Sequence, residues 1–207
     1  MTSPTTLSFV RHGLVHNPQG LYYGRLPGFR LSDEGIQQAQ RTSELLSKKP
    51  LVAIFSSPLL RARQTAKIIL APHPHLSLKI SQFVHETHTP FDGQPGSVPA
   101  ARNWDVYTGS PPEYEQPLNI LTRTQKFVAH IRRKYAGQHI VIVTHGDVVV
   151  FMVLWAKQLP ITIEQKVNFH QAGLSDPFPA PASISTFTYQ TAFADEIPQL
   201  DYLNPSH

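Results

Sequence analysis

The sequence predicts an α/β fold: a three-layer sandwich with a mostly parallel central sheet and helices on both faces. Three observations predict it. Short apolar runs of strand length alternate with longer stretches whose apolar residues recur at helical spacing. One run, Ile140 to Val143, is apolar at every position, as a central parallel strand covered on both faces must be. Three of the runs also end on polar residues, where a parallel sheet presents its functional edge.

The elements follow in order. Leu7 to Val10 reads as a strand that stops at Arg11-His12-Gly13, and Leu14 to Leu31 is a loop punctuated by Pro18, Gly20, Gly24, Pro27 and Gly28. Ser32 caps a helix that carries Asp33 and Glu34 in its first turn and closes at Lys48, Lys49 and Pro50. Leu51 to Phe55 is a second strand, and Ser57-Pro58 reads as the cap and first position of a helix running to about Leu70. Leu76 to Ile80 is a third strand, and residues 81–116, with no clear period, read as a lid or insertion. Pro117 opens a helix that Gly137 ends, the fourth strand leads through Thr144-His145-Gly146 into an apolar helix from Asp147 to Leu159, and Ser183 to Tyr189 is a last strand.

Composition narrows the function classes. The 207 residues are 41% hydrophobic and only 15% charged, and 19 prolines place many ordered turns between elements, so residues 1–207 read as a single folded domain. There is no cysteine, which excludes disulfides, thiolate nucleophiles and cysteine metal sites. The net charge of +4 comes from scattered Lys and Arg rather than a dense stripe, so neither nucleic acid nor membrane is an expected partner; a small anion is. With no basic-then-apolar start, and a longest apolar run (Val148 to Ala156) far short of the roughly 20 residues a spanning helix needs, the reading is a cytoplasmic protein. The sequence is silent on oligomeric state. His73, His75, His85, His88, His130, His139 and His170 make no metal-protease pattern, and no metal or cofactor is expected.

If the first, second and fourth strands are neighbours, their ends bring Arg11, His12, Arg61 and His145 to one pocket. Planar guanidinium groups suit a phosphate, helix amino termini add backbone donors, and an imidazole among them is a nucleophile. Taken singly, each of these residues is more often a capping or surface group; their coincidence is the signal.

These residues resemble the signatures of the histidine phosphatase superfamily, also called the phosphoglycerate-mutase-like family. Phe9-Val10-Arg11-His12-Gly13 resembles its Arg-His-Gly opening, Ser56-Ser57-Pro58-Leu59-Leu60-Arg61-Ala62 with Thr65-Ala66 its second arginine motif, and Val143-Thr144-His145-Gly146 its second histidine motif. The likeness spans roughly Leu7 to Leu159. One departure is Leu14, where relatives usually carry Glu after Arg-His-Gly.

The resemblance implies a metal-independent phosphatase acting on small phosphomonoesters. His12 would take the phosphoryl group as a phosphohistidine; it must be neutral to attack, with one ring nitrogen donating to a backbone carbonyl to fix the tautomer. Arg11, Arg61 and a cationic His145 would bind the phosphoryl oxygens. Glu86 would be the general acid, its pKa raised by burial or by the substrate's charge, with Asp92 and Glu115 as substitutes. Asn17, Tyr23, Gly24, Arg25 and Gly146 are expected to contact substrate, and Phe91, Trp104, Tyr107 and Tyr114 to suit an apolar or aromatic leaving group. The alternatives are a phosphoglycerate mutase, against which residues 85–116 offer only one basic residue, Arg102, and a non-catalytic phospholigand-binding protein, which would not need the whole set.

Overall fold

The computed structural model describes residues 3–193 and 195–206. Along the chain come β1 (Thr5–Arg11), α1 (Asp33–Ser47), β2 (Leu51–Ser56), α2 (Leu60–Leu70), β3 (Leu78–Ile80), α3 (Ser97–Ala100), α4 (Pro117–Lys134), β4 (His139–Thr144), α5 (Gly146–Ala156), α6 (Ile163–Val167), β5 (Ile184–Tyr189) and β6 (Gln199–Leu203). The described strands form one sheet in the order β3-β2-β4-β1-β5-β6. The first four run parallel; β5 lies antiparallel to β1, and β6 antiparallel to β5. The sheet is therefore mostly parallel, as its apolar central runs predict.

Side-chain alternation divides the core into two layers. Leu7, Phe9, Ile140 and Ile142 point to one face, where α4 and α5 cover them with Phe127, Ile131, Val148 and Phe151. Val10, Val141 and Val143 point to the other, where α1 and α2 supply Leu46, Ala62, Ala66 and Ile69. Burial of each such large side chain contributes about 1.5–3 kcal/mol. Helix α5 is apolar around its whole circumference, and ten of its eleven residues are buried. No helix among the described residues is long and apolar enough to cross a membrane.

Most sequence signals hold locally. Ser32 caps α1 by accepting the Gly35 N–H at 3.0 Å. The Ser57-Pro58 reading is corrected: α2 starts at Leu60, with Leu59 as a cap residue that makes no side-chain bond. Ser57 Oγ lies 2.6 Å from His145 Nε2 and only 3.4 Å from the Leu59 N–H, so its hydroxyl serves the neighbouring strand end instead of the helix. Two elements carry no clear sequence signal, the short α6 and the exposed edge strand β6.

Residues 81–116 hold a short 3-10 turn at Gln82–Val84 and the single turn α3. They are stitched to the first loop through backbone bonds from Tyr22 to Gln94, Gly93 to Tyr22 and Gly96 to Gly20, at 2.7–2.8 Å. The two segments thereby form one wall above the carboxyl ends of the parallel strands.

Candidate active site

Three parallel strand ends are laced together by backbone bonds beyond the sheet itself. The His12 N–H donates to Thr144 O and the Ser57 N–H to Val143 O, both at 2.9 Å. Arg11, His12, Ser57 and His145 are therefore set by the register of β1, β2 and β4 rather than by loop conformation. Arg61 reaches the same point from the first turn of α2.

His12 is buried, and its Nδ1–H donates to Gly13 O at 2.8 Å, which leaves Nε2 with a lone pair. Arg61 Nε–H donates to that lone pair at 3.1 Å. Burial, reinforced by the charges of Arg61, His145 and Arg11, holds the His12 pKa well below the ordinary histidine value, so the ring is neutral at pH 7. This is the tautomer and charge state a nitrogen nucleophile needs.

Arg61 has no exposed surface, and its guanidinium is the hub of the site. Its Nη2 donates to Gly24 O at 2.7 Å, reaches Glu86 Oε2 at 3.4 Å and lies 3.3 Å from His145 Nδ1, while the Tyr23 ring covers it at 4.7 Å. Gly24 is required here. Its φ is +32°, and a Cβ at this position would collide with the Asp92 carboxylate.

His145 is fully buried between Ser57 at Nε2 and Arg61 and Glu86 at Nδ1. Burial lowers its pKa to about 4, with Glu86 opposing and Arg61 adding to the effect. The ring is therefore neutral at pH 7, which corrects the expectation of a cationic His145. Glu86 moves the other way from a typical buried acid. Burial alone would raise it, but His145, Arg61 and the Thr87 N–H together hold it well below the usual carboxylate range. The expectation of a raised Glu86 is not met, because His145 and Arg61 both contact its carboxylate.

Arg11 donates from Nη1 to Pro179 O at 2.6 Å and stacks on Phe178 at 5.2 Å, and among the described residues its buried Nε has no hydrogen-bond partner. Gly146 opens α5, and its missing side chain leaves room for Phe178, whose ring would lie 2.6 Å from an added Cβ. The α5 amino terminus thus stands beside Arg11 and adds unpaired backbone donors to it.

A cavity of about 720 Å³ opens above this floor, lined by Arg11, His12, Asn17, Tyr23, Gly24, Glu86 and Gly146 among others. Six of these seven were expected to act on or contact substrate as a set, and the seventh, Glu86, is the expected acid. Arg61 and His145 lie beneath the floor. Arg25 does not line the cavity: Nε donates to Glu86 O at 2.7 Å and Nη2 pairs with Glu115 at 2.8 Å, so it braces the Glu86 segment from behind. Arg123 completes that clamp on Glu115 at 2.7 Å. Glu115 is held by these two arginines, and Asp92 Oδ2 accepts the Arg25 N–H; of the three candidate acids only Glu86 lines the cavity. Leu14, Phe91, Tyr107 and Tyr114 also stay out of it, whereas Trp104 lines it.

Sequence reasoning missed Ser57 as a partner of His145, and it missed Tyr22, Asp147, Lys166 and Phe178 as cavity residues. Asp147 had an available signal, since it directly follows His145-Gly146; Lys166 and Phe178 had none. Donor atoms of His12, Glu86 and His145 lie within 4.8 Å of one another, a spacing compatible with a metal ion. Arg61 already donates toward all three, so a permanent cation fills that position and the arrangement fits an arriving anion.

Comparison with known proteins agrees with this geometry. An uncharacterised protein of Mycobacterium tuberculosis, Rv0525, is 35% identical over 170 residues, covering 78% of this chain and 81% of its own. A 2,3-bisphosphoglycerate-dependent phosphoglycerate mutase of Chlamydia muridarum is 39% identical over 83 residues, 40% of this chain and 35% of the mutase. The fold matches that of the mycobacterial glucosyl-3-phosphoglycerate phosphatase Rv2419c with a TM-score of 0.77 at 23% identity, covering 97% of this chain and 99% of that one. The family sequence profile of the histidine phosphatase superfamily, branch 1, matches residues 7–176, and the chain belongs to that superfamily.

Proposed function

We propose that the protein is a metal-independent phosphatase of small phosphomonoesters that works through a phosphohistidine on His12. The observation that carries this reading is the state of His12: buried, neutral, pinned through Nδ1, with Nε2 facing Arg61 on the floor of a cavity that Arg11 and the α5 amino terminus also border. A phosphoryl group entering there exchanges with the internal contacts of Arg61. Its oxygens take donors from Arg11, Arg61, Gly146 N–H and His145, and the neutralised phosphorus is attacked in line by Nε2.

The proton inventory closes. The Nε2 lone pair forms the P–N bond as the P–O bond to the leaving group breaks, and Glu86 gives its proton to the departing oxygen. Water then attacks phosphorus, Glu86 takes the water's proton, and the P–N pair returns to His12. Glu86 begins as a carboxylate. The arriving phosphoryl charge draws Arg61 and His145 away from it and raises its pKa, so it takes up a proton from the substrate monoanion or solvent. Arg25 and Arg123, through Glu115, hold the segment that presents it. Residues 1–207 act as one domain, with 81–116 as the substrate wall.

Hydrolysis is favoured over mutase chemistry by the charge of that wall. Its Arg102 is spent on the carbonyls of Asp105 and Thr108 and on the Phe91 ring, away from the cavity. The test is phosphate release from p-nitrophenyl phosphate in EDTA by wild type and His12→Ala. Turnover that persists in EDTA and disappears in the variant supports the reading; a wild type without turnover, or a variant that keeps it, overturns it.

A further inference from the structure

Beyond the phosphoryl floor, the same cavity has a second polar group that the phosphoryl chemistry does not use. Asp147 and Lys166 line it together, joined by an ion pair of 3.0 Å, with side chains only 10% and 7% exposed. The Tyr107 hydroxyl donates into Asp147 Oδ2, the same oxygen that meets Lys166. Lys166 also donates to Trp104 O at 2.9 Å. Among the described residues no hydrogen bond reaches Asp147 Oδ1, and the Lys166 ammonium, 5.0 Å from the Tyr107 ring centre, has oxygen partners for two of its three donors. An acceptor and a donor are thus left side by side, both prevented from moving by a buried tyrosine.

Apolar surface surrounds that pair. Phe178, Pro177 and Val167 line the cavity next to it, and Trp104 projects half-exposed at the rim. Asn103 and Trp104 stand in succession at φ +52° and +60°, a left-handed conformation that asparagine tolerates and tryptophan rarely adopts, and the Trp104 N–H and carbonyl are both held, by Pro99 O and Lys166. These bonds hold the Trp104 backbone at the cavity wall. Lys166 is already paired with Asp147, so this end of the cavity has no spare cation for a second anion, which would meet the unbonded oxygen of the Asp147 carboxylate instead.

We propose that Asp147 and Lys166 form a leaving-group subsite that selects the phosphomonoester of an uncharged, hydroxyl-bearing ring and rejects esters carrying a second anionic group. The proposal rests on the phosphatase reading above. Adjacent ring hydroxyls donate to Oδ1 and accept from Nζ, while the carbon face of the ring packs against Phe178 and Trp104. Selection against a carboxylate comes from Asp147, and it is a repulsive device as much as an attractive one.

The test is the ratio of kcat/KM for ribose 5-phosphate to that for 3-phosphoglycerate, read by phosphate release. In wild type the ratio should exceed about tenfold. Asp147→Asn frees the Lys166 ammonium for a carboxylate, and the ratio should fall by about tenfold or more. Lys166→Gln leaves the carboxylate unopposed and should keep or raise it. A wild-type ratio near one, an Asp147→Asn variant that leaves the ratio unchanged, or a Lys166→Gln variant that lowers it would overturn the proposal. Thermal protection of the wild type by the two phosphates separates its failure from that of the phosphatase reading. If no ester, p-nitrophenyl phosphate included, is turned over, the phosphatase reading falls. Stronger protection by ribose 5-phosphate then still supports the subsite, and equal protection overturns it.

Discussion

The two ends of the cavity are built in opposite ways. At the phosphoryl end, Arg11, His12, Ser57 and His145 sit on strands or within a residue of a strand terminus, and sheet register sets their separations. At the other end, Trp104, Asp147, Lys166 and Phe178 come from four segments, of which only that of Asp147 is a long helix. The difference separates what chemistry tolerates from what specificity requires. A phosphoryl group has one shape, and its receptor can be rigid; leaving groups differ, and loops can change without disturbing the sheet.

That contrast can be broken most directly at His12. His12→Ala should reduce p-nitrophenyl phosphate turnover by about ten-thousandfold or more with an unchanged circular dichroism spectrum, and residual turnover above that would move the chemistry elsewhere. Next is Arg61→Ala, for which a loss of about a thousandfold is expected. Arg61→Lys should recover little of it, because an ammonium cannot span Gly24, Glu86 and His12 as the planar fork does. Full recovery by Lys would mean that charge alone matters at the floor.

Glu86→Gln is expected to cost about a hundredfold on alkyl phosphates and under about tenfold on p-nitrophenyl phosphate, whose leaving group needs no proton. Equal losses on both would remove Glu86 as the acid. Glu115→Gln sharpens the same point from behind the wall. Loosening the Arg25–Glu115–Arg123 clamp should lower alkyl phosphate turnover by roughly threefold to tenfold and spare the activated ester, since it acts through the position of Glu86.

The smallest expected effect is on stability. His12 and His145 have folded pKa values below the unfolded value, His145 at about 4, so the unfolded chain binds protons that the fold refuses. Their contribution is complete above about pH 6.5 and is lost as pH falls toward 4. His85 and His139, also lowered to about 4, act in the same direction. Melting should occur about 5 °C or more lower at pH 5 than at pH 7.5. A flat profile would show that these rings protonate freely within the fold.

The phosphoryl end was legible because each of its residues adjoins a run with a strand or helix period: Arg11 and His12 after Leu7–Val10, His145 after Ile140–Val143. Spacing also gave the four long helices α1, α2, α4 and α5, and for α1 the Ser32 cap. Ser57 was misread because Ser-Pro before a helix is a local cap signal, whereas its hydroxyl answers to a histidine 88 residues away. The charge states of Glu86 and His145 were not legible either. They depend on burial and on Glu86, His145 and Arg61 meeting one another at 3.3–3.4 Å, which no spacing encodes. Lys166 and Phe178 carry no periodic or motif context, so only the closed cavity reveals them.

The position of β1 has a consequence for the order of assembly. This first strand of the chain lies between β4 and β5, and its Ser8 hydroxyl meets Thr186 at a separation of 178 residues. During synthesis it must wait for both neighbours, so most of the chain has left the ribosome before the strand that carries His12 is enclosed. Nascent chains halted before β5 should therefore expose an apolar β1 edge to chaperones and have no activity, even with every site residue already translated.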